Sequence, residues 1–401
     1  MAYTGLKTGP ISSYTALAAN QMPYNDRLLY LLYPFQYPLF QKMYFSSGRR
    51  AEAVTNDKGL FSWFEDELYP NTTTVSVAVT GGSTIQLYGY VTLNFFQASD
   101  ELLFEETGEM GYVSTKDSTH VTVTPLGGST LTGLSVGCVI RKVGTLDHEY
   151  AGVRTVVSTQ EIQVSNYLTK FNESVGMTGR QQASKTYTNG KSFKEQLSKK
   201  IDEMKLLYEN NFKFSTQSGI ATVSGSDGNS YYATYGKGLY GMITTNVFTY
   251  TTLNETVVDQ FMAAIFSTGG SAVKDFYQGV DQSLAFAKII KDKFQINPQG
   301  IVTQYGVRLT RYTLTQGTLN LIWDPTMNQG FVDWGFAVDP DANKPAKMMY
   351  MADDDKGSRK FRVEKHVETP GSDGRVDKLL ADIGLQIPNQ EIDGILKAAT
   401  A

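Results

Sequence analysis

The rhythm of hydrophobic and polar positions changes several times along this 401-residue chain. In LLYLLYPFQYPLFQKMYF, residues 28–45, apolar side chains fall on every side, and Pro34 and Pro38 break any helix there. A segment this sticky and irregular predicts docking along a neighbouring surface, in its own chain or in another. From about residue 71 to 160 the period becomes two. TVSVAVT alternates, Gly81-Gly82 turns the chain, and STIQLYGYVTLNFF follows. Then come EMGYVSTKDSTHVTVTPL, with a turn near Lys116-Asp117-Ser118, and GLSVGCVIRKVG. Short strands at regular spacing predict a small barrel or sandwich.

Alternation resumes at Gln163, passes a turn at Thr178-Gly179, and gives way to a helical period. Ser192 and Glu195 have capping-box spacing: the hydroxyl can accept from a first-turn amide and the carboxylate can reach back. Phe193, Leu197, Ile201, Met204 and Tyr208 then make one apolar stripe. Glu195 and Lys199 form an i,i+4 pair on the wet side, and the helix ends before Gly219. A second helix fits NETVVDQFMAAIFSTGG, with Asn254 as N-cap, Val258, Phe261, Met262 and Ile265 as the stripe, and Gly269 as the stop. A third fits DQSLAFAKIIKDKF from Asp281. VRLTRYTLTQGTLNLIWDP reads as two strands around Gln316-Gly317, with Leu319, Leu321 and Trp323 on one face. The tail from Thr369 reads as polar, then weakly helical after Asn389.

Hydrophobic residues make up 41% of the chain and charged residues 19%, a globular composition. Aromatics reach 12%, with 24 Tyr and 21 Phe, which suits either extensive interfaces or a β-rich core. Net charge is −4 with no basic stripe, which argues against a protein that grips nucleic acid through phosphates. The single cysteine, Cys138, excludes an internal disulfide and reads as a small buried hydrophobe. MAYTGLKTGP lacks the basic start and apolar core of a signal peptide, and no run reaches the ~18 apolar residues of a membrane span. The N-x-S/T matches at Asn71, Asn172 and Asn254 carry little weight without secretion.

Candidate chemistry is sparse. His120, His148 and His366 lie far apart and outside any zinc pattern, and His120 reads as a surface strand residue. GKGLYG, Gly236 to Gly241, fits GxGxxG, but the following MITTNVFTYTT is β-like where a dinucleotide site needs a helix. A turn between packed elements explains the glycines better. Asp339, Asp341 and Asn343 mimic the start of a calcium loop, yet Lys344 and Tyr350 stand where its glycine and glutamate belong. No catalytic, cofactor-binding or metal-ligating residue is assigned, and no enzyme activity is expected.

The order VSNYLTKFNESVGMTGRQQASKTY followed by a charged amphipathic helix resembles one family of tailed-bacteriophage major capsid proteins. There a strand ending in a Thr-Gly turn and a Gln-Ala step leads into a long spine helix; here those positions are Thr178, Gly179, Gln182 and Ala183. ETGEMGYVSTKDSTHVTVTPLGGST resembles the family's β insertion, and LNETVVDQFMAAIFSTGGS its helix ending in Gly-Gly. YGVRLTRYTLTQGTLNLIWDPTM resembles a late strand pair. Arg180 and Gln181 intrude in the turn, and residues 1–70 match nothing in the pattern.

The resemblance implies an α+β tailed-phage capsid fold, shared with encapsulins and the herpesvirus capsid floor. Its expected parts are an N-terminal arm (1–70), an extended loop with the β insertion (71–160), a peripheral-domain strand and spine helix (161–225), an axial domain with the late strand pair (226–340), and a return to the peripheral domain with a C-terminal tail (341–401). The implied function is a structural protein that self-assembles as hexamers and pentamers into an icosahedral shell around a double-stranded DNA genome. The arm would dock onto adjacent subunits; the alternative is that it completes the chain's own core. Expected partners are copies of itself, a separate scaffolding protein, a portal, decoration proteins and non-specifically contacted DNA, with no membrane. No cofactor is expected. The expected location is the virion, after assembly in the host cytoplasm. The alternatives are an encapsulin-type cargo shell and a virion tail or fibre protein.

Overall fold

A computed structural model of the chain describes residues 37–45, 52–55, 58–68, 70–88, 96–128, 130–154, 156, 158–184, 192–225, 227–291, 311–328, 330–339, 346–353 and 357–399. The chain forms two units, one built from residues 64–164 and the other from residues up to 63 together with 165–401.

The 64–164 unit is all β. Its strands run in the order Thr72–Thr74, Val139–Thr145, Asp100–Phe104, Met110–Lys116, His120–Pro125, Ile85–Tyr88, each antiparallel to the next. Bridges from Val79 to Leu134 and from Gly82 to Leu131 carry the stretch 72–88 from the first edge to the last. The sheet therefore closes on itself, the barrel form of the two, barrel or sandwich, that the alternation predicts. Every second residue of Asp100–Phe104 and of the 110–125 hairpin points inward, onto a core that includes Leu102, Phe104, Val113, Val121 and Ile140. Cys138 is buried in that core. The predicted turn is stapled by Asp117, whose Oδ1 accepts from the Thr119 and His120 amides at 2.7 and 2.8 Å. Asp100 is fully buried and paired with Lys142 at 2.8 Å and Arg154 at 2.7 Å.

The larger unit holds two six-stranded sheets. The first runs Glu52–Val54, Lys347–Asp353, Gly374–Gln386, Thr169–Thr178, with two short strands alongside. The helix Phe193–Phe214 packs against it. Ser192 caps this helix as predicted, its Oγ accepting from the Glu195 amide at 3.2 Å. Phe193, Leu197 and Ile201 are half-buried, and the stripe deepens to Met204, Tyr208 and Phe212, which are fully buried. The second sheet runs Val247–Tyr250, Gly394–Ala398, Trp334–Val338, Val273–Gln278, Thr318–Trp323, Arg311–Thr313. The helices Glu255–Ser267 and Val280–Lys291 share a core with it. Asn254 caps the first of these, accepting from the Val257 amide at 3.0 Å.

Several expectations are overturned. Pro38 does not break a helix; it begins one, Pro38–Phe45, because proline's missing N–H costs nothing in a first turn. Tyr37, Leu39, Phe40 and Met43 are buried in the core of their own chain, so this part of the arm completes that core. Residues 28–36 lie outside the described residues. The tail is neither polar nor helical: Gly374–Gln386 is a 13-residue strand and Gly394–Ala398 another, both largely buried. Consecutive residues of Gly374–Gln386 are buried along most of its length, so both of its faces are covered, which removes the alternation of a half-exposed strand. Glu195 and Lys199 make no ion pair among the described contacts; Lys200 instead bridges Glu173 and Glu203 at 2.9 Å each. Leu319 and Leu321 are buried as expected, but Trp323 is half-exposed at the end of its strand.

Candidate functional site

The motifs singled out for chemistry resolve into packing. Gly236, Gly238 and Gly241 lie where the chain crosses the C-terminus of Phe193–Phe214. A Cβ on Gly238 would stand 2.3 Å from the Asn211 carbonyl oxygen, and one on Gly236 2.1 Å from that of Tyr167. The Gly238 amide donates to the Ser215 oxygen at 2.9 Å and the Ser215 hydroxyl to Gly236 O at 2.6 Å. The glycines thus seal a helix end by close backbone approach. Of the calcium-like triplet only Asp339 is described; it is buried and accepts from the Ser271 amide and from Lys274. No group of three or more His, Cys, Asp or Glu side chains suited to a metal occurs among the described residues. No helix among them is long and apolar enough to cross a membrane.

Thr178-Gly179 is a true structural junction. The strand Thr169–Thr178 ends there and the short helix Gly179–Ala183 begins. A Cβ on Gly179 would fall 1.9 Å from Asp373 Oδ1, so a side chain there would have to displace the Asp373 carboxylate.

The most elaborate constellation anchors the root of the arm. Glu209, on the long helix, is fully buried, and its two carboxylate oxygens accept from the Leu39 and Phe40 amides at 3.1 and 2.7 Å. These are first-turn donors of Pro38–Phe45, which no residue of that helix can satisfy. Lys213, one turn after Glu209, pairs with Glu209 at 2.6 Å and also with Asp324. Asp324 in turn accepts from the Thr326 amide and hydroxyl at 2.9 and 2.6 Å. Burial pushes the Glu209 carboxyl up; Lys213 and the Phe40 amide pull it back. At the other end of the short helix Lys42 pairs with the buried Asp275, and at its start the Tyr37 hydroxyl donates to the Asp202 oxygen at 2.7 Å. Burial, reinforced by Asp202, Glu203 and Glu209, pushes that hydroxyl's pKa up, so it stays a donor. The helix Pro38–Phe45 is thus pinned at both ends to the core of its own chain. Sequence reasoning found the apolar residues of this site but not Glu209, Lys213, Asp275 or Asp324, which come together across 111 to 233 positions of chain.

Exposed apolar side chains mark the other surfaces of interest. In the barrel unit Tyr150 and Val153 are 95% and 99% exposed, on a segment tied down by Arg154. In the larger unit Ile220, Val223, Tyr231 and Tyr232 are exposed on a two-stranded hairpin, Gly219–Ser224 with Ser230–Tyr235.

The family model of the SU10 major capsid protein matches residues 12–400. The chain belongs to the SU10 major capsid protein family. That membership makes it a phage capsid shell protein with a mixed α+β fold. No curated protein matches the chain. Solved structures similar to it include that of Microbacterium phage Oxtober96, at 8% identity and TM-score 0.49, covering 98% of this chain and 100% of that one. The capsid of an empty GTA particle gives the same values. The holo-SrpI encapsulin complex from Synechococcus elongatus PCC 7942 is similar at 12% identity and TM-score 0.40, over 60% of this chain and 77% of that one.

Proposed function

We propose that this capsid protein assembles with copies of itself, as hexamers and pentamers, into an icosahedral shell enclosing the double-stranded DNA genome of a tailed bacteriophage. The observation that carries the reading is the family match across nearly the whole chain. The chemistry agrees with a structural role. The polar clusters at the arm root, at Asp100 and at Asp377 are all closed by internal partners. The net charge of −4 suits a wall that holds packed DNA without gripping it. A separate scaffolding protein, a portal and decoration proteins complete the proposed partner set, with assembly in the host cytoplasm before the protein takes its place in the virion. On this reading the chain is not an enzyme.

Treating purified particles with nuclease and then extracting their contents tests the proposal. Protected double-stranded DNA of uniform length is the expected result. A protein cargo with no protected DNA would move the assignment to an encapsulin-type compartment.

A further inference from the structure

We infer that Lys213 and Asp324 are the two halves of an internal amide cross-link, formed when the lysine amine attacks the aspartate carboxyl with Glu209 as proton carrier. The inference goes beyond the shell reading and does not depend on it. All three side chains are fully buried. The link would join the last turn of the helix Phe193–Phe214 to the loop after the strand Thr318–Trp323, 111 positions further on.

The polar atoms of the cluster take up the places that this reaction needs. Lys213 Nζ contacts Asp324 Oδ2 and lies 2.6 Å from Glu209 Oε1. The other oxygen of Asp324, Oδ1, accepts from the Thr326 amide at 2.9 Å and from the Thr326 hydroxyl at 2.6 Å. Two donors on Oδ1 stabilise the negative charge that gathers there when the amine adds to Cγ. Oδ2 faces the amine and is the oxygen that leaves. Glu209 is fixed beside the amine by the Leu39 and Phe40 amides, at 3.1 and 2.7 Å. Burial pushes its carboxyl up, which makes it a better acceptor of the ammonium proton. Holding amine and carboxyl together in a site closed to water replaces an encounter in solution with a step inside one molecule. The usual rival for an aspartyl carboxyl is the backbone nitrogen of the next residue. Residue 325 is proline, whose nitrogen carries no hydrogen, so that route is closed.

The step balances without a co-reactant. The Nζ–Cγ bond forms and the Cγ–Oδ2 bond breaks. Two of the three ammonium protons leave with Oδ2 as water, and the third stays on the new amide. Glu209 carries a proton from nitrogen to the leaving oxygen and ends as it began; nothing is oxidised or reduced. The product removes a buried ammonium and a buried carboxylate from the core. Its N–H keeps Glu209 as acceptor, and its carbonyl keeps the two Thr326 donors. Other lysine–aspartate pairs lack this arrangement. The Lys42 side chain, paired with Asp275, is 34% exposed. Asp339 Oδ2, which faces Lys274 at 3.2 Å, also accepts from the Ser271 amide at 2.7 Å, so the oxygen that would have to leave is held. A bridge closing so long a stretch of chain restricts the unfolded state in the way a disulfide does.

Peptide mass mapping of the full chain tests the link. Folded wild-type protein, incubated at neutral pH, then denatured and digested with trypsin, should give a branched peptide joining the stretch around Lys213 to the stretch around Asp324. Its mass should be lower by one water than the sum of its two parts. Trypsin does not cut after an acylated lysine, so cleavage after Lys213 should be lost at the same time. Asp324→Ala should restore that cleavage and abolish the branched peptide. Glu209→Gln should form the link roughly a hundredfold more slowly or worse. Full cleavage after Lys213 in folded wild-type protein, with no branched peptide, overturns the inference, and that outcome needs no variant to fold. A water lost at another position while Lys213 stays free overturns it as well. A Glu209→Gln chain that folds and links as fast as the wild type overturns the part given to Glu209. A branched peptide from protein that forms no particles supports the link and counts against the shell reading alone.

Discussion

At Glu209 one carboxylate neutralises a buried lysine and caps a helix that begins 171 residues earlier at Pro38. Removing it leaves Lys213 with Asp324 and the Thr326 hydroxyl and strands two first-turn amides in an apolar core. Glu209→Ala is expected to cost roughly 3–5 kcal/mol, the usual penalty for breaking a buried pair from one side. Glu209→Gln keeps an acceptor and should cost less; denaturant melts of the two variants check the order. A second residue-scale effect depends on pH. Arg375 donates two hydrogen bonds to the buried Asp377, and this, with the His366 amide, holds the Asp377 carboxyl below its usual value. A depressed carboxyl favours the folded state above the unfolded carboxylate range, about pH 3.9, and that contribution disappears as pH falls through the lowered value. Stability should therefore fall on acidification from about pH 4 downward, and Asp377→Asn should flatten that limb of the melting-temperature profile.

Elements were legible where their signals were local. The long helix carries its cap at Ser192 and its stripe within one stretch, and Glu255–Ser267 likewise follows its own Asn254. Gradation along the stripe was not legible, because it depends on what packs opposite. Met204→Asp should cost several kcal/mol and abolish soluble protein, Leu197→Asp less, and Lys194→Asp on the exposed face little, as thermal melts of the three will show. The helix Pro38–Phe45 was hidden because its capping carboxylate is distant in sequence and its prolines read as breakers. The strand Gly374–Gln386 was hidden because Asp377 and Asp382 make a central strand look like a polar tail until Arg375 and Arg359 are seen beside them. The arm gives the sharpest test at this scale. Deleting residues 1–45 removes Leu39, Phe40 and Met43 from the core, uncovers Glu209, and should lower the melting temperature steeply or give aggregated protein.

Over the whole molecule, each of the two units carries its own hydrophobic core, one of them a closed barrel and the other built on two mixed sheets. Neither unit presents a catalytic constellation among the described residues. What the chain does present is a short N-terminal helix pinned to its own core and exposed apolar side chains on both units. These are features of a protein whose work is contact with its own copies, in keeping with its family. Imaging the purified full-length protein in the electron microscope tests that claim most directly. The account predicts closed, icosahedral particles of uniform size; a population of dispersed single chains, or of open fibres that never close, would contradict it.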